Sequence, residues 1–266
     1  MPVRVVESKQ NARLKVLRKA LNVGVRDADG LVGIEGPHLL EEALRAGLHM
    51  PTVFVAQGTE RALEHMRLPA ETEVLLLPKK LLDEALTTET PQPIAALIDP
   101  PDWNWAQVLS GKKAAPLVIV LAGLQDPGNL GTILRSAEAF GATGVVCLPG
   151  TVSSWNPKAV RASAGSVFRV PVVSASAEDC FAQLRQAGIK LLTTAAHRAK
   201  PASAADLTGP IALLIGNEGT GVPHNLAAQA DGAITIPCPG PVESLNASVA
   251  AGILLYEASR QRKNTP

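Results

Sequence analysis

Apolar positions along this chain recur with two different spacings, and the changes between them outline its elements. From Ser8 to Leu21 the apolar residues Leu14, Leu17 and Leu21 stand among basic ones, the helical spacing. "GLVGIEG" reads as a strand, and "PHLLEEALRAG" as a helix with Pro near its start and Gly past its end. "PTVFVAQ", "EVLLLP" and "IAALID" are further short strands, which makes the first region a small α/β domain. A longer series follows. "PLVIVLAG", "GVVCLPG", "IKLLTTAA", "IALLIGNEG" and "AITIPCPG" are strands; "NLGTILRSAEAFG", "NPKAVRASAG" and "SLNASVAAGILLYEASRQR" are helices. Such alternation predicts a mainly parallel sheet with helices on both faces, and ligands beyond the C-terminal ends of its strands. Between the two regions "DPPDWNWAQVLSGKKAAP" breaks both patterns and reads as a connector. The expected division is a domain at 1–100, a linker at 101–114 and a second domain at 115–266.

Composition narrows this picture. Of 266 residues 46% are hydrophobic and 3% aromatic, so the core is built from aliphatic side chains, as in parallel-sheet proteins. The net charge of +1 gives no global argument for nucleic acid, and any such argument is local. Cys147, Cys180 and Cys238 are far apart and form no CxxC pair, which excludes a disulfide framework and a cysteine zinc site. His38, His49, His65, His197 and His224 form no ligand pattern, so no metal role is expected. The N-terminus lacks a signal-peptide core, and the best apolar run, Leu117 to Leu121, is only strand-sized. The expected setting is the cytoplasm, with no membrane partner.

Three loops that follow apolar strands hold the residues with chemical potential. In "QDPGNLGTILR", Asp126 is placed to cap the coming helix, and Asn129 and Arg135 are the candidate reactive side chains; the spacing alone reads equally as a plain helix start with a solvated Arg. In "GNEGTG", three glycines surround Asn217 and Glu218, a composition that reads either as backbone pressed against a ligand or as a plain turn. It is neither GxGxxG nor a phosphate-binding GxxxxGK loop. In "IPCPGPVESLN", three prolines stiffen a loop that brings Ser244 and Asn246 to the start of the last helix. Ser244 there reads either as a helix cap or as a group holding a hydroxyl or phosphate.

These segments, in this order, resemble the three sequence motifs of SpoU/TrmH RNA methyltransferases. "SSWNPKAVRASAGSVFRVPVV" between the first two also looks like that family, so the resemblance covers roughly residues 115 to 262. The opening "SKQNARLKVLRKAL" and "LVGIEGPHLLEEALRAG" resemble the ribosomal-protein-like RNA-binding domain often fused in front. Cys238 stands where Met is commoner. The resemblance implies a deep trefoil knot in the parallel-sheet domain, S-adenosyl-L-methionine as cofactor and a homodimer. It implies that Gly216, Asn217, Ile236 and Leu245 hold the cofactor, and that Asn129, Arg135, Glu218, Ser244 and Asn246 are the functional polar positions.

The implied reaction aligns a ribose 2′-oxygen with a sulfonium methyl and removes its proton. Arg135 serves either as a base, once its proton is drawn away, or as a charged stabiliser of the forming alkoxide. Asn129 and Asn246 are placed to orient it or the ribose, and Glu218 to pair with a basic group such as Arg135. Lys9, Arg13, Lys15 and Arg18 crowd the first helix, and Arg161 lies by the catalytic domain; these are the candidate RNA contacts. Ribosomal RNA fits the two-domain architecture better than transfer RNA. Two rivals remain at this point: a Rossmann-like nucleotide enzyme, which lacks its glycine fingerprint, and an RNA-binding module without activity.

Overall fold

The structure, a computed structural model, describes residues 2–23, 30–111, 115–195, 199–241 and 244–263. It divides into two compact units. The first takes the chain as far as Asp102 and then Ser153–Phe168; the second takes Trp103–Val152 and the described residues from Arg169 onward. The family-like segment 153–168 therefore belongs with the N-terminal elements. His197 and the end of the "IKLLTTAA" segment lie outside the described residues, as do positions 242 and 243 of the third loop.

In the first unit β1 (Val3–Val5), α1 (Ala12–Val23), β2 (Val32–Glu35), α2 (Pro37–Arg45), β3 (Thr52–Ala56), β4 (Glu73–Leu77), α3 (Lys79–Asp83) and β5 (Ile94–Ile98) follow one another. The strands form one sheet in the order β1-β4-β3-β5-β2. β1, β3 and β4 are parallel, while β5 runs against both β2 and β3. Strand alternation sorts the apolar side chains between two layers. Phe54, Ala56, Leu75, Leu77, Ala95 and Leu97 pack in one core with Leu14, Leu17 and Leu21 of α1 and with Leu81 and Leu82 of α3. A side chain at Gly33 would meet Leu21 Cγ at 2.9 Å, which is how closely α1 lies on β2. The other face carries α2 and the helix of the returning segment, α6 (Pro157–Ser163), which rests on β2. Gly165, at φ 89°, sits against Glu42 of α2, where a Cβ would come within 2.6 Å.

The second unit holds α4 (Trp105–Leu109), β6 (Leu117–Leu121), α5 (Pro127–Ala139), β7 (Gly144–Cys147), β8 (Val172–Ser174), α7 (Ala177–Gln186), β9 (Lys190–Thr194), β10 (Lys200–Pro201), β11 (Ile211–Ile215), α8 (His224–Ala227), β12 (Gly232–Thr235) and α9 (Ala247–Lys263). Its seven-stranded sheet, β10-β12-β9-β11-β6-β7-β8, is parallel throughout. The predicted α/β class and parallel sheet are thus both present. The segment expected as a plain connector carries α4. A capping box between Asn104 and Gln107 starts that helix, and buried Val108 ties it to the core that also holds Val118, Val120, Phe181 and Leu214.

Candidate functional site

β6, β11 and β12 all end at the same edge of the parallel sheet, so the three loops that follow them meet there. α5 begins as expected: Asp126 caps it, its side chain accepting from Asn129 N–H at 2.8 Å. The carboxylate of Glu218 crosses from the loop after β11 to this helix start. It accepts from the backbone N–H of Asp126 at 3.2 Å and of Gln125 at 3.4 Å, and from Asn129 Nδ2 at 3.1 Å. Asn129 Oδ1 in turn accepts from Asn246 Nδ2 at 3.0 Å. Asn246 Oδ1 accepts from Ser248 N–H at 2.9 Å and Val249 N–H at 3.3 Å, so Asn246 caps α9. A single chain of hydrogen bonds, Glu218–Asn129–Asn246, thereby links the three loops.

This arrangement changes two readings. Glu218 makes no ion pair with Arg135, because the N-terminus of α5 and Asn129 occupy its oxygens, a favourable place for an anion. Partial burial pushes its pKa up, but hydrogen bonds from Asn129 and backbone N–H groups outweigh that and hold it below the ordinary 4.5. The cap of α9 is Asn246 rather than Ser244, since the helix starts one residue after Asn246.

Beside the network lies a cavity of about 590 Å³. Gly216, Asn217, Glu218, Ile236, Ser244 and Leu245 all line it, together with Thr194, Ile215, Val222, Ile234, Cys238 and Leu254. The loop from Gly216 to Gly221 folds back on itself: Asn217 and Gly221 exchange backbone hydrogen bonds at 3.0 and 2.9 Å. A Cβ at Gly216 would fall 2.0 Å from the carbonyl carbon of Gly221. The Asn217 side chain serves this loop, donating to Gly123 C=O and accepting from Gly219 N–H, both at 2.8 Å. Among the described residues no hydrogen bond reaches the backbone of Gly216 or Leu245, both of which line the cavity. Burial pushes the thiols of Cys147 and Cys180 up to about 12, so neither is a nucleophile.

Arg135 stands apart from this network. It is exposed, six residues along α5 from Asn129, and makes no hydrogen bond or ion pair with a described residue. Of the candidate RNA contacts, Lys9 is engaged with Glu84 at 2.5 Å. Arg161 lies on α6, on the sheet face opposite α1, so the five positions are not one continuous helix surface. Sequence reasoning passed over Thr194, Ala250 and Leu254 as cavity wall, because only the tertiary fold brings β9 and the first turns of α9 to the loops. It also passed over Arg262, whose guanidinium donates to the C=O groups of Ala115, Pro116, Leu207 and Gly209 at 2.6 to 3.1 Å. Among the described residues no group of His, Cys, Asp and Glu is arranged to hold a metal, and no helix is long and apolar enough to cross a membrane.

A parallel sheet with a cavity at its strand ends is the arrangement of α/β proteins that bind a ligand at that edge. Residues 116–256 match the SpoU rRNA Methylase family, and residues 11–96 match the MRM3-like substrate binding domain. The chain belongs to the SpoU rRNA methylase family and is a methyltransferase. It is 34% identical, over 94% of its own length and 97% of the relative's, to the 23S rRNA (guanosine(2553)-2′-O)-methyltransferase RlmP of Bacillus subtilis. The SpoU methyltransferase AviRb of Streptomyces viridochromogenes, solved in complex with AdoMet, superposes with a TM-score of 0.83 at 30% identity, over 97% of this chain and 100% of that one. An AdoMet-bound rRNA methyltransferase from Sinorhizobium meliloti gives 0.82 at 30% identity, over 97% and 98%.

Proposed function

We propose that the cavity binds S-adenosyl-L-methionine and that the chain methylates a ribose 2′-hydroxyl of structured RNA, ribosomal RNA in preference to transfer RNA. The observation that carries this is the cavity itself, which lies where the three strand-end loops are joined by Glu218, Asn129 and Asn246. Its described lining suits the cofactor. Apolar Ile215, Ile236 and Leu254 line it beside Gly216 and Leu245, whose backbone has no hydrogen-bond partner among the described residues, and the one charged side chain is a carboxylate, with no Lys or Arg to repel a sulfonium. Bound there, the cofactor supplies an electrophilic methyl group. The trefoil knot typical of this fold belongs to the same proposal, as does a cytoplasmic setting.

The polar residues then divide the work. Asn129 and Asn246 each spend one amide N–H within the network and keep a second to hold ribose or phosphate oxygen. Ser244, exposed at the cavity rim, is placed for the same task. Arg135, exposed on α5, is assigned the electrostatic stabilisation of the forming alkoxide rather than the role of base. A second copy of the chain completes the picture. Val249, Ile253 and Tyr256 form an exposed apolar stripe on α9, spaced for one helix face, and Phe140 of α5 meets Tyr256 edge-to-face at 5.8 Å. Light scattering should report a dimer for the wild type and a monomer for Tyr256→Glu; a monomeric wild type removes this part.

The test of the function is methyl transfer from labelled S-adenosylmethionine into separated ribosomal and transfer RNA. Label recovered from ribosomal RNA as a 2′-O-methylnucleoside is the expected result. Label in transfer RNA alone reassigns the substrate, and no label without cofactor binding returns the chain to an inactive RNA-binding module.

A further inference from the structure

The basic residues of α1 do not stand alone. α1 has no acidic residue, and its exposed Lys15 and Lys19 are one turn apart, a like-charge spacing that works against an isolated helix. α3 lies on the same sheet face and adds Lys79 and Lys80, both exposed. Two carboxylates, Asp83 and Glu84, sit among these cations. Glu84, just past α3, is bound by Lys9 at 2.5 Å, and Lys80 and Arg18 are close enough to act on it electrostatically. Lys79 is paired with Asp83 at 2.6 Å, which leaves Lys80 as the exposed cation of α3 without a bonded partner among the described residues. Arg18 is half-buried, and its Nε has no hydrogen-bond partner there.

We propose that the α1–α3 face is the surface that takes the RNA phosphodiester backbone, that Lys80 is one of its contacts, and that Glu84 acts as its internal counter-charge. Phosphates and Glu84 compete for the same cations, Lys9, Arg18 and Lys80. Removing the carboxylate frees them, and removing Lys80 subtracts one contact. The face is distinct from the one that carries α2 and α6, where Glu41 and Glu42 already pair with Arg45. This rests on the reading of the chain as an RNA methyltransferase, and it specifies where the first unit grips its substrate.

The test is filter binding of the full chain to a 23S rRNA transcript across a salt series, with thermal melts to show that the variants are folded. Lys80→Ala should weaken binding roughly threefold and lower the slope of log affinity against log salt by about one. Glu84→Gln should tighten binding roughly threefold. Glu41→Gln, which removes the same charge from the opposite face, should leave it unchanged. Equal tightening by Glu41→Gln and Glu84→Gln would reduce the effect to net charge and overturn the surface. Salt-dependent wild-type binding with no response to Lys80→Ala or Glu84→Gln would also overturn it while leaving the methyltransferase reading intact. Absence of wild-type binding, with methyl transfer into RNA still measured, would remove the first unit as the grip and this surface with it.

Discussion

The two sheets of this molecule use different parts of themselves. In the seven-stranded sheet every strand runs the same way, so the loops after β6, β11 and β12 leave from one edge and converge. In the five-stranded sheet β5 alone runs against its neighbours, and the other four strands share one direction. What the smaller sheet offers is a helix-covered face with a dense run of cations. The two sheets thus divide between a site that needs several loops within hydrogen-bonding distance and a surface that needs only charge. Damage to the first should appear in turnover and cofactor affinity, damage to the second in RNA affinity.

The sharpest test of that separation is Arg135→Ala. A loss of about 100- to 1000-fold in kcat is expected, with cofactor affinity by calorimetry nearly unchanged. Parallel loss of both would remove the catalytic assignment. Gly216→Ala should come next. The added Cβ meets Gly221 and Val222 backbone at 2.0 and 2.1 Å, so the loop has to open. Cofactor affinity should fall roughly 10- to 100-fold with RNA affinity retained, the usual scale of overpacking. Arg262→Met removes hydrogen bonds to four carbonyls and should cost about 2–3 kcal/mol in urea denaturation. The smallest effect belongs to Glu218. Its pKa is lowered in the folded chain, so its contribution is present above the ordinary 4.5 and is lost as pH falls through the folded-state value. Denaturation midpoints should therefore decline more steeply below pH 4.5 for the wild type than for Glu218→Gln. Parallel curves would mean that the carboxylate adds nothing.

Much of the candidate site was legible before the fold was known. Asn129, Glu218 and Asn246 stood out because polar side chains directly after apolar strands in an alternating α/β pattern are at the ligand-binding edge. Their partners were not legible. Pairing Glu218 with Arg135 followed charge alone, whereas the fold delivers Glu218 to the start of α5, where backbone N–H groups satisfy it. Lys80 was invisible because α3 is only five residues long, too short to show a helical period. Arg262 carried no local signal, and only the tertiary fold shows carbonyls from two distant segments around it. The placement of 153–168 with the first unit is likewise a long-range fact that no local pattern encodes.

The Arg262 clamp also bears on how the cofactor pocket comes into being. Its bond to Ala115 closes a loop of 147 positions, and that to Gly209 one of 53. Contacts so distant along the chain are slow to form, because the entropy of the intervening segment is lost before they contribute. α9 supplies one wall of the pocket through Ala247, Ala250 and Leu254. Ligand competence is therefore expected to lag behind recovery of secondary structure on refolding, and the last event to be seen should be the gain of cofactor affinity rather than the gain of helix.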